Sequence, residues 1–255
     1  MPARAQRVFI TGASSGIGAA LARRYAARSA QLGLLARRRG ALDELAQSLA
    51  VPASIYPADV RDAAALAAAA ADFTARHGAP DVVIANAGVS HGTLTEHAED
   101  LAAFEDILAI NLTGMVATFQ PFIAPMRAAA DGVLVGIASV AGVRGLPGAG
   151  AYSASKAAAI SYLESLRVEL RASGVGVVTI LPGYVATAMT EHNPYRMPFL
   201  LTADEAARRM VRAIDRRASK VVIPWQMALI APVLKWLPNP LYDRLFAHAP
   251  RKPRR

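Results

Sequence analysis

The fold of this chain is decided by the stretch Val8-Phe9-Ile10-Thr11-Gly12-Ala13-Ser14-Ser15-Gly16-Ile17-Gly18, which joins a short apolar run to a helical pattern. A strand, a glycine-rich turn and a helix in this order form the context in which a glycine motif binds a dinucleotide. Gly12 permits a tight turn, and Gly16 lets the backbone approach a diphosphate at the helix N-terminus. Gly18 allows the helix to pack closely on the strand. The spacing is G-x-x-x-G-x-G rather than the commoner G-x-G-x-x-G, so the prediction depends on the context.

Beyond this stretch, strand-like and helix-like patterns alternate at the length of βαβ units. Further strands are predicted at residues 32–36, 53–57, 81–85, 133–138 and 175–181. The chain is 54% hydrophobic and 18% charged, which suits a sizeable core and argues against disorder. We therefore predict one domain over residues 1–255 with an α/β fold, Rossmann-like and doubly wound, in which three α/β/α layers surround a mostly parallel central sheet.

Composition excludes several classes of protein. The chain has no cysteine, so disulfides, thiolate catalysis and cysteine-ligated zinc are ruled out. The net charge of +9 comes without an aromatic-interleaved basic stripe, so we predict no nucleic-acid partner. The first strand starts too early to leave room for a signal peptide, and no uncharged apolar run is long enough to span a bilayer. We expect a cytoplasmic protein, with membrane association as the alternative.

The end of the second strand indicates which dinucleotide is bound. In dinucleotide folds an acidic residue at this point holds the adenosine ribose. Here the strand ends at Ala36, and Arg37, Arg38 and Arg39 follow. A carboxylate would repel a 2′-phosphate, whereas a guanidinium binds it through a charge-assisted fork. We predict NADP(H), with Arg37 as the first candidate and Arg38 beside it; the alternative is that the arginines open a solvated helix.

A second motif, Tyr152-x-x-x-Lys156, begins another predicted helix. Residues four apart share one helix face, and an ammonium near a phenol favours the phenolate and lowers its pKa. Such a tyrosine can exchange a proton with a carbonyl or alcohol oxygen near neutral pH. Ser139 follows a predicted strand, at the end where ligands bind in parallel sheets. By itself the Tyr/Lys pair is typical of exposed helices.

Asn111 lies within a long helical pattern. It marks either a specific polar contact or a surface side chain.

Together these motifs resemble the short-chain dehydrogenase/reductase family over about residues 6–190, and Ala36-Arg37 resembles its NADPH-using branch. The matching motifs are Thr11-Gly12-x-x-x-Gly16-Ile17-Gly18, Asn86-Ala87-Gly88, Asn111, Ser139, Tyr152-x-x-x-Lys156 and Pro182-Gly183 with Thr187. The resemblance implies an NADP(H)-dependent oxidoreductase that interconverts a ketone or aldehyde with an alcohol. It also implies a homodimer or homotetramer. The alternative is a catalytically idle NADP(H)-binding sensor or scaffold, or a membrane-surface protein, of the same fold.

The resemblance also assigns roles to the matching residues. Tyr152 would be the acid/base, and Ser139 would orient the substrate carbonyl. Lys156 would lower the tyrosine pKa and hold the nicotinamide ribose, while Asn111 would keep a water that links Lys156 to a proton relay. The cofactor would be lined by Gly12, Ser14, Ser15, Gly16, Ile17, Gly18, Arg37, Arg38, Asp59, Val60, Asn86, Ala87, Gly88, Ile110, Tyr152, Lys156, Pro182, Gly183, Val185 and Thr187. No metal is predicted, because no ligand cluster is formed by His77, His91, His97, His192 and His248.

Substrate selection is predicted to lie in the segments 92–99, 143–150 and 184–201. Residues 187–201 form the candidate lid, and their apolar side chains favour an apolar or lipid-like substrate. From residue 221 to residue 255 the chain departs from the short ending of the family, with an apolar segment, two tryptophans and a basic tail. This extension is either a packing or dimer element or a site of peripheral membrane contact.

Overall fold

The computed structural model describes residues 4–191, 193 and 195–254. His192 and Pro194, in the predicted lid, and Arg255, in the basic tail, lie outside the described residues. The strands are β1 (Arg7–Thr11), β2 (Gln31–Ala36), β3 (Ala53–Pro57), β4 (Val82–Ala85), β5 (Val133–Ile137), β6 (Gly176–Pro182), β7 (Val185–Ala186), β8 (Leu201–Thr202) and β9 (Lys220–Ile223). The helices are α1 (Gly16–Ala26), α2 (Arg39–Ser48), α3 (Ala63–His77), α4 (Asp100–Leu108), α5 (Gly114–Ala128), α6 (Gly150–Glu169), α7 (Ala203–Asp215), α8 (Trp225–Trp236) and α9 (Asn239–Phe246).

Seven of the described strands form one sheet in the order β3-β2-β1-β4-β5-β6-β9, and every neighbouring pair is parallel. The predicted doubly wound α/β/α fold is confirmed. Parallel sheets are covered on both faces, which is why the inner strands are continuous apolar runs. Helices α1, α2 and α7 pack on one face, and α3, α5 and α6 pack on the other. The chain order reverses between β1 and β4, so the carboxyl ends of the strands open a crevice there.

The long helix predicted near residues 101–126 is divided by a π-helical turn, Ala109–Thr113, which joins α4 to α5. Such turns are rare inside α-helices and are frequent at functional sites. Asn111 lies in this turn and is 0% exposed, so it is a buried polar contact and the surface alternative is wrong.

The combined helix Asp100–Ala128 is long and apolar enough to span a membrane, contrary to our expectation from the sequence. Its most apolar window is 44% buried within the fold.

The N-terminus of helix α7 is stabilised by contacts between neighbouring residues. The Thr202 side chain caps the helix by accepting a hydrogen bond from the Glu205 N–H at 3.2 Å. In a full capping box the Glu205 carboxylate would also accept a hydrogen bond from the Thr202 backbone N–H. Here it instead pairs with Arg208 and Arg209, with 2.7 Å between the charged atoms in both cases.

The C-terminal extension is a structured part of the domain. Strand β9 extends the sheet, and the inner face of α8 packs through Met227 and Ala231 on a cluster that includes Ala138 and Leu181. The Arg144 guanidinium caps the C-terminal end of α8 by donating to the carbonyls of Leu234 and Leu237. Helix α8 is therefore fixed at the end of the sheet where the crevice opens.

Candidate active site

A cavity of about 500 Å³ lies at the carboxyl ends of the central strands. Its volume is within the range of small-molecule and cofactor pockets. Arg37 and Arg38 line one end of it, and Ser139, Tyr152 and Lys156 line the other. The predicted cofactor residues that line it are Gly12, Ser14, Ser15, Gly16, Ile17, Arg37, Arg38, Asp59, Val60, Asn86, Ala87, Gly88, Ile110, Tyr152, Lys156, Pro182, Gly183, Val185 and Thr187. Gly18 and Asn111 do not line this cavity.

The glycine turn is shaped as its sequence predicts. Gly12 and Gly16 have φ angles of 65° and 53°, a region that side chains rarely allow. A Cβ on Gly18 would lie 2.2 Å from the Gly12 carbonyl oxygen, so Gly18 serves close packing. The Asn86 amide nitrogen donates to the backbone oxygens of Thr11 and Gly12, at 3.1 and 3.2 Å. The Asn86 amide thus holds the glycine turn in place.

At the arginine end of the cavity, the predicted cofactor residue Asp59 is paired with Arg61, a residue that no motif indicates. Asp59 accepts hydrogen bonds from the Arg61 guanidinium, at 2.8 and 3.1 Å, and this pairing holds the pKa of Asp59 below its ordinary value. Arg37 lies farther away, with its Nη1 atom 3.9 Å from the Asp59 carboxylate. Arg38 has no ion-pair partner within the described chain. Helix α2 begins at Arg39, so only the third arginine opens the solvated helix.

Three of the four predicted catalytic side chains, Ser139, Tyr152 and Lys156, line the same end of the cavity. Ser139 follows β5, and its Oγ accepts the Ala141 N–H at 3.1 Å. Tyr152 and Lys156 lie in the first two turns of α6, with the Lys156 Nζ 5.8 Å from the centroid of the Tyr152 ring. Lys156 is 4% exposed, and its Nζ donates to the Ile137 carbonyl at 2.8 Å. The strand end and the helix start therefore bring a hydroxyl, a phenol and an amine together.

The pKa directions differ from the expectation that Lys156 lowers the pKa of Tyr152. Burial raises the pKa of Tyr152, and the hydrogen bond with Ser139 opposes this shift only in part. Burial also lowers the pKa of Lys156, to about 8. Removal from water disfavours the charged form of both groups, which is why both shift toward neutrality. Tyr152 is consequently a protonated donor near neutral pH.

Asn111 connects this cluster to the loop after β4. Its Oδ1 accepts the Val89 N–H at 2.8 Å, and its Nδ2 donates to the Val89 carbonyl and to Ser155 Oγ, both at 3.0 Å. Ser155 Oγ in turn donates to the Tyr152 carbonyl at 2.8 Å. Asn111 is thus placed to position α6, and the water relay that the resemblance implies stays a prediction.

The C-terminal tail lies across the three predicted substrate segments, a contact that no local pattern in the sequence indicates. The Pro253 carbonyl accepts the Gly92 N–H at 2.9 Å, and Lys252 Nζ donates to the Met189 carbonyl at 3.2 Å. A Cβ on Gly148 would lie 2.8 Å from the Arg251 Cβ, so the tail also packs on this third segment. We call residues 251–254 the tail wall.

Comparison with known proteins agrees with this geometry. Residues 6–197 match the family model described as short chain dehydrogenase. An uncharacterized oxidoreductase of Myxococcus xanthus is 40% identical over 238 residues, 92% of this chain and 94% of that protein. The cis-4-hydroxycyclohexanecarboxylate dehydrogenase of Sinomonas cyclohexanicum is 34% identical over 212 residues, 82% of this chain and 85% of that protein.

Solved structures agree as well. An alcohol dehydrogenase from Thermococcus sibiricus, in complex with 5-hydroxy-NADP, superposes with a TM-score of 0.76 at 27% identity, over 86% of this chain and 96% of that one. Both the family match and the relatives extend over most of the chain. The chain therefore belongs to the short-chain dehydrogenase/reductase family of oxidoreductases, which transfer hydride between a nicotinamide dinucleotide and an alcohol or carbonyl compound.

Proposed function

We propose that this chain is an NADP(H)-dependent oxidoreductase that interconverts a ketone or aldehyde with an alcohol, using Tyr152 as acid/base. One observation carries the proposal: a single cavity has Ser139, Tyr152 and Lys156 at one end and two arginines at the other. The turn geometry fits a dinucleotide, because Gly12 and Gly16 keep side chains away from the place where a diphosphate would approach. When bound, the cofactor supplies or accepts the hydride.

The residues of the chain would handle the proton and the substrate oxygen. In reduction, the carbonyl carbon gains a hydride while its oxygen takes the proton from the Tyr152 hydroxyl, so the product is a neutral alcohol. The Ser139 hydroxyl can donate to the same oxygen as negative charge develops there. Lys156, with a pKa lowered to about 8, lies beside the phenol and can hold or release a proton near neutral pH. An idle NADP(H) sensor could use Lys156 to hold the cofactor, but it would need neither the Ser139 hydroxyl nor an acid/base at Tyr152, so the intact cluster favours turnover.

The choice of NADP(H) is supported by the arginine end of the cavity. Arg37 and Arg38 line it, and Ala36 stands where a carboxylate would hold an NAD ribose. Asp59 is already paired with Arg61, which reduces its repulsion of a nearby phosphate. The solved relative from Thermococcus sibiricus carries an NADP derivative, which also supports this choice.

Replacing both Arg37 and Arg38 by Ala is expected to lower kcat/KM for NADPH by about 100-fold, because two charge-assisted hydrogen bonds to the 2′-phosphate are lost. Activity with NADH should change by less than about threefold, since NADH has no such phosphate. The measurement is cofactor oxidation with a panel of ketones and aldehydes. Arg39→Ala is the matched control, because Arg39 pairs with Asp43 on α2 at 3.6 Å. Equal losses with both cofactors would contradict the assignment.

A second proposal concerns the partner of the C-terminal extension. Four large apolar side chains of α8 are between 62% and 80% exposed: Trp225, Leu229, Val233 and Trp236. At about 100° per residue they occupy an arc of about 80° on the helix. Leu241 and Leu245 of α9 are also exposed. We call these six side chains the apolar ridge, and a patch of this kind marks an interaction surface.

Charge favours an anionic lipid surface as the occupant of the ridge. Residues 221–255 contain six Lys or Arg residues and one Asp. Of these, Lys235 and Arg244 lie on the ridge helices α8 and α9, whereas Arg254 is paired with Glu99 and Asp100. A second copy would bring the same positive charge against itself, whereas anionic headgroups would complement it. The inner face of α8 packs at the crevice end of the sheet, so contact with lipid would bring the cavity close to apolar substrates in the bilayer.

The homodimer or homotetramer stays a prediction. Leu101 and Val168 are exposed apolar side chains that an interface between subunits could cover.

Vesicle binding tests this second proposal. The protein should sediment with vesicles containing phosphatidylglycerol and much less with neutral phosphatidylcholine, and added salt should weaken the binding. Exchanging Leu229 and Trp236 for Ser should lower the partition coefficient by at least about tenfold, because two large apolar side chains no longer enter the interface. Leu101→Ser is the control on another surface. If the double variant leaves vesicle binding unchanged but lowers the mass measured by light scattering, the ridge is instead a contact between copies.

A further inference from the structure

The tail wall places a lysine at the rim of the cavity. Lys252 is partly buried, and its Nζ donates to the carbonyl of Met189, a residue that lines the cavity. The tail is held there from both sides. Gly92 bonds the Pro253 carbonyl, and the Arg254 guanidinium binds the carboxylates of Asp100 and Glu99 at 2.8 and 2.7 Å. Arg251 packs on Gly148 before Lys252, and Pro253 and Arg254 are bonded after it, so Lys252 is fixed beside the predicted substrate segments.

No carboxylate offsets the charge of Lys252 within the described residues. Glu99 and Asp100, the acidic groups that anchor the tail, are already paired with Arg254. Burial lowers the pKa of Lys252, as expected for an ammonium removed from water. Among the described residues, the partner of this half-buried cation is the neutral Met189 carbonyl, so an anion that arrives with a ligand would complement its charge.

We propose that Lys252 binds an anionic group, a carboxylate or a phosphate, on a part of the substrate away from the reacting carbonyl. This inference rests on the proposed function and deepens it. The carbonyl is reduced at Tyr152, the apolar middle of the substrate contacts the lid, and its charged end reaches the rim at the tail wall. The favoured substrates are then amphiphilic keto acids or keto phosphates rather than wholly neutral ketones.

Three matched probes test the inference: an unbranched methyl ketone, the same ketone ending in a carboxylate, and the same ketone ending in a phosphate monoester. The ratio of kcat/KM for each charged probe over the neutral probe is measured with NADPH for the wild type and for Lys252→Met. We expect the preferred anion to raise this ratio above one in the wild type. We expect Lys252→Met to lower the ratio by about tenfold, mainly through KM, because one charge-assisted hydrogen bond is lost.

Two variants separate this effect from a general loss of charge. Lys252→Arg keeps the cation and should retain most of the preference. Lys220→Met removes a lysine from β9 that pairs with Glu164 at 3.4 Å, and it should leave the ratio as in the wild type. The inference is overturned if the wild type and Lys252→Met show the same ratio while the neutral ketone is reduced.

Calorimetric titration of the charged ketones, with oxidised NADP present, reports binding apart from turnover. Binding that depends on Lys252 without reduction of any probe would sustain the anion site while the proposed reaction fails. Absence of both binding and turnover would overturn the anion site as well.

Discussion

Replacing Tyr152 by Phe is expected to lower kcat by at least about 1000-fold, because the hydroxyl that we propose as the proton donor to the substrate oxygen is lost. The ring stays, so the shape of the cavity and the affinity for NADPH should be nearly unchanged. Burial raises the pKa of Tyr152, which keeps the wild-type hydroxyl protonated and ready to donate near neutral pH. The measurements are steady-state reduction of a ketone probe and NADPH binding by fluorescence titration.

Tyr162→Phe is the matched control for this prediction. Tyr162 lies on the same helix, α6, and burial raises its pKa to about 12, but it does not line the cavity. Its loss should change kcat by less than about threefold, since no proton donor is removed from the site. If Tyr152→Phe retained a tenth of wild-type turnover, another group would have to be the acid. If it lost NADPH affinity to the same extent as turnover, the phenol would serve binding instead.

The second large effect is expected on stability. Asn111→Leu should lower the free energy of unfolding by about 4 kcal/mol, because buried polar groups that lose their partners cost about 1–3 kcal/mol each. The groups left without Asn111 are the N–H and carbonyl of Val89 and the Ser155 hydroxyl. The leucine has a similar volume but cannot form any of these bonds. Urea unfolding followed by circular dichroism measures the change.

Ser155→Ala serves as the control for Asn111. It removes a hydroxyl from the same network but leaves both Asn111–Val89 hydrogen bonds, so a loss of about 1 kcal/mol is expected. A free energy of unfolding for Asn111→Leu within 1 kcal/mol of the wild type would mean that the π turn does not depend on this amide. A loss for Ser155→Ala as large as that for Asn111→Leu would show that the Ser155 hydroxyl, rather than the two Asn111–Val89 hydrogen bonds, accounts for most of the effect.

The sequence alone determined the features that depend on neighbouring residues. The glycine turn follows from its strand and helix on either side, and Tyr152 and Lys156 share a face because four residues nearly complete one helical turn. Short continuous apolar runs predicted each inner strand of the sheet to within about two residues. Strands that are buried on both faces must be apolar along their whole length, so they are visible in the sequence. The place of the arginines directly after β2 also follows from the local sequence.

Only the tertiary structure decided the features that depend on distant residues. The tail wall joins Arg254 to Asp100 across 154 positions, and no periodicity extends over such a separation. The partners of Asn111 lie 22 and 44 positions away, so the helical pattern could not distinguish a buried amide from a surface one. The pKa of Tyr152 rises because many chain segments together exclude water, an effect that the spacing of a tyrosine and a lysine does not contain. Local periodicity thus determined which elements form, and burial by remote segments decided the chemistry that they carry.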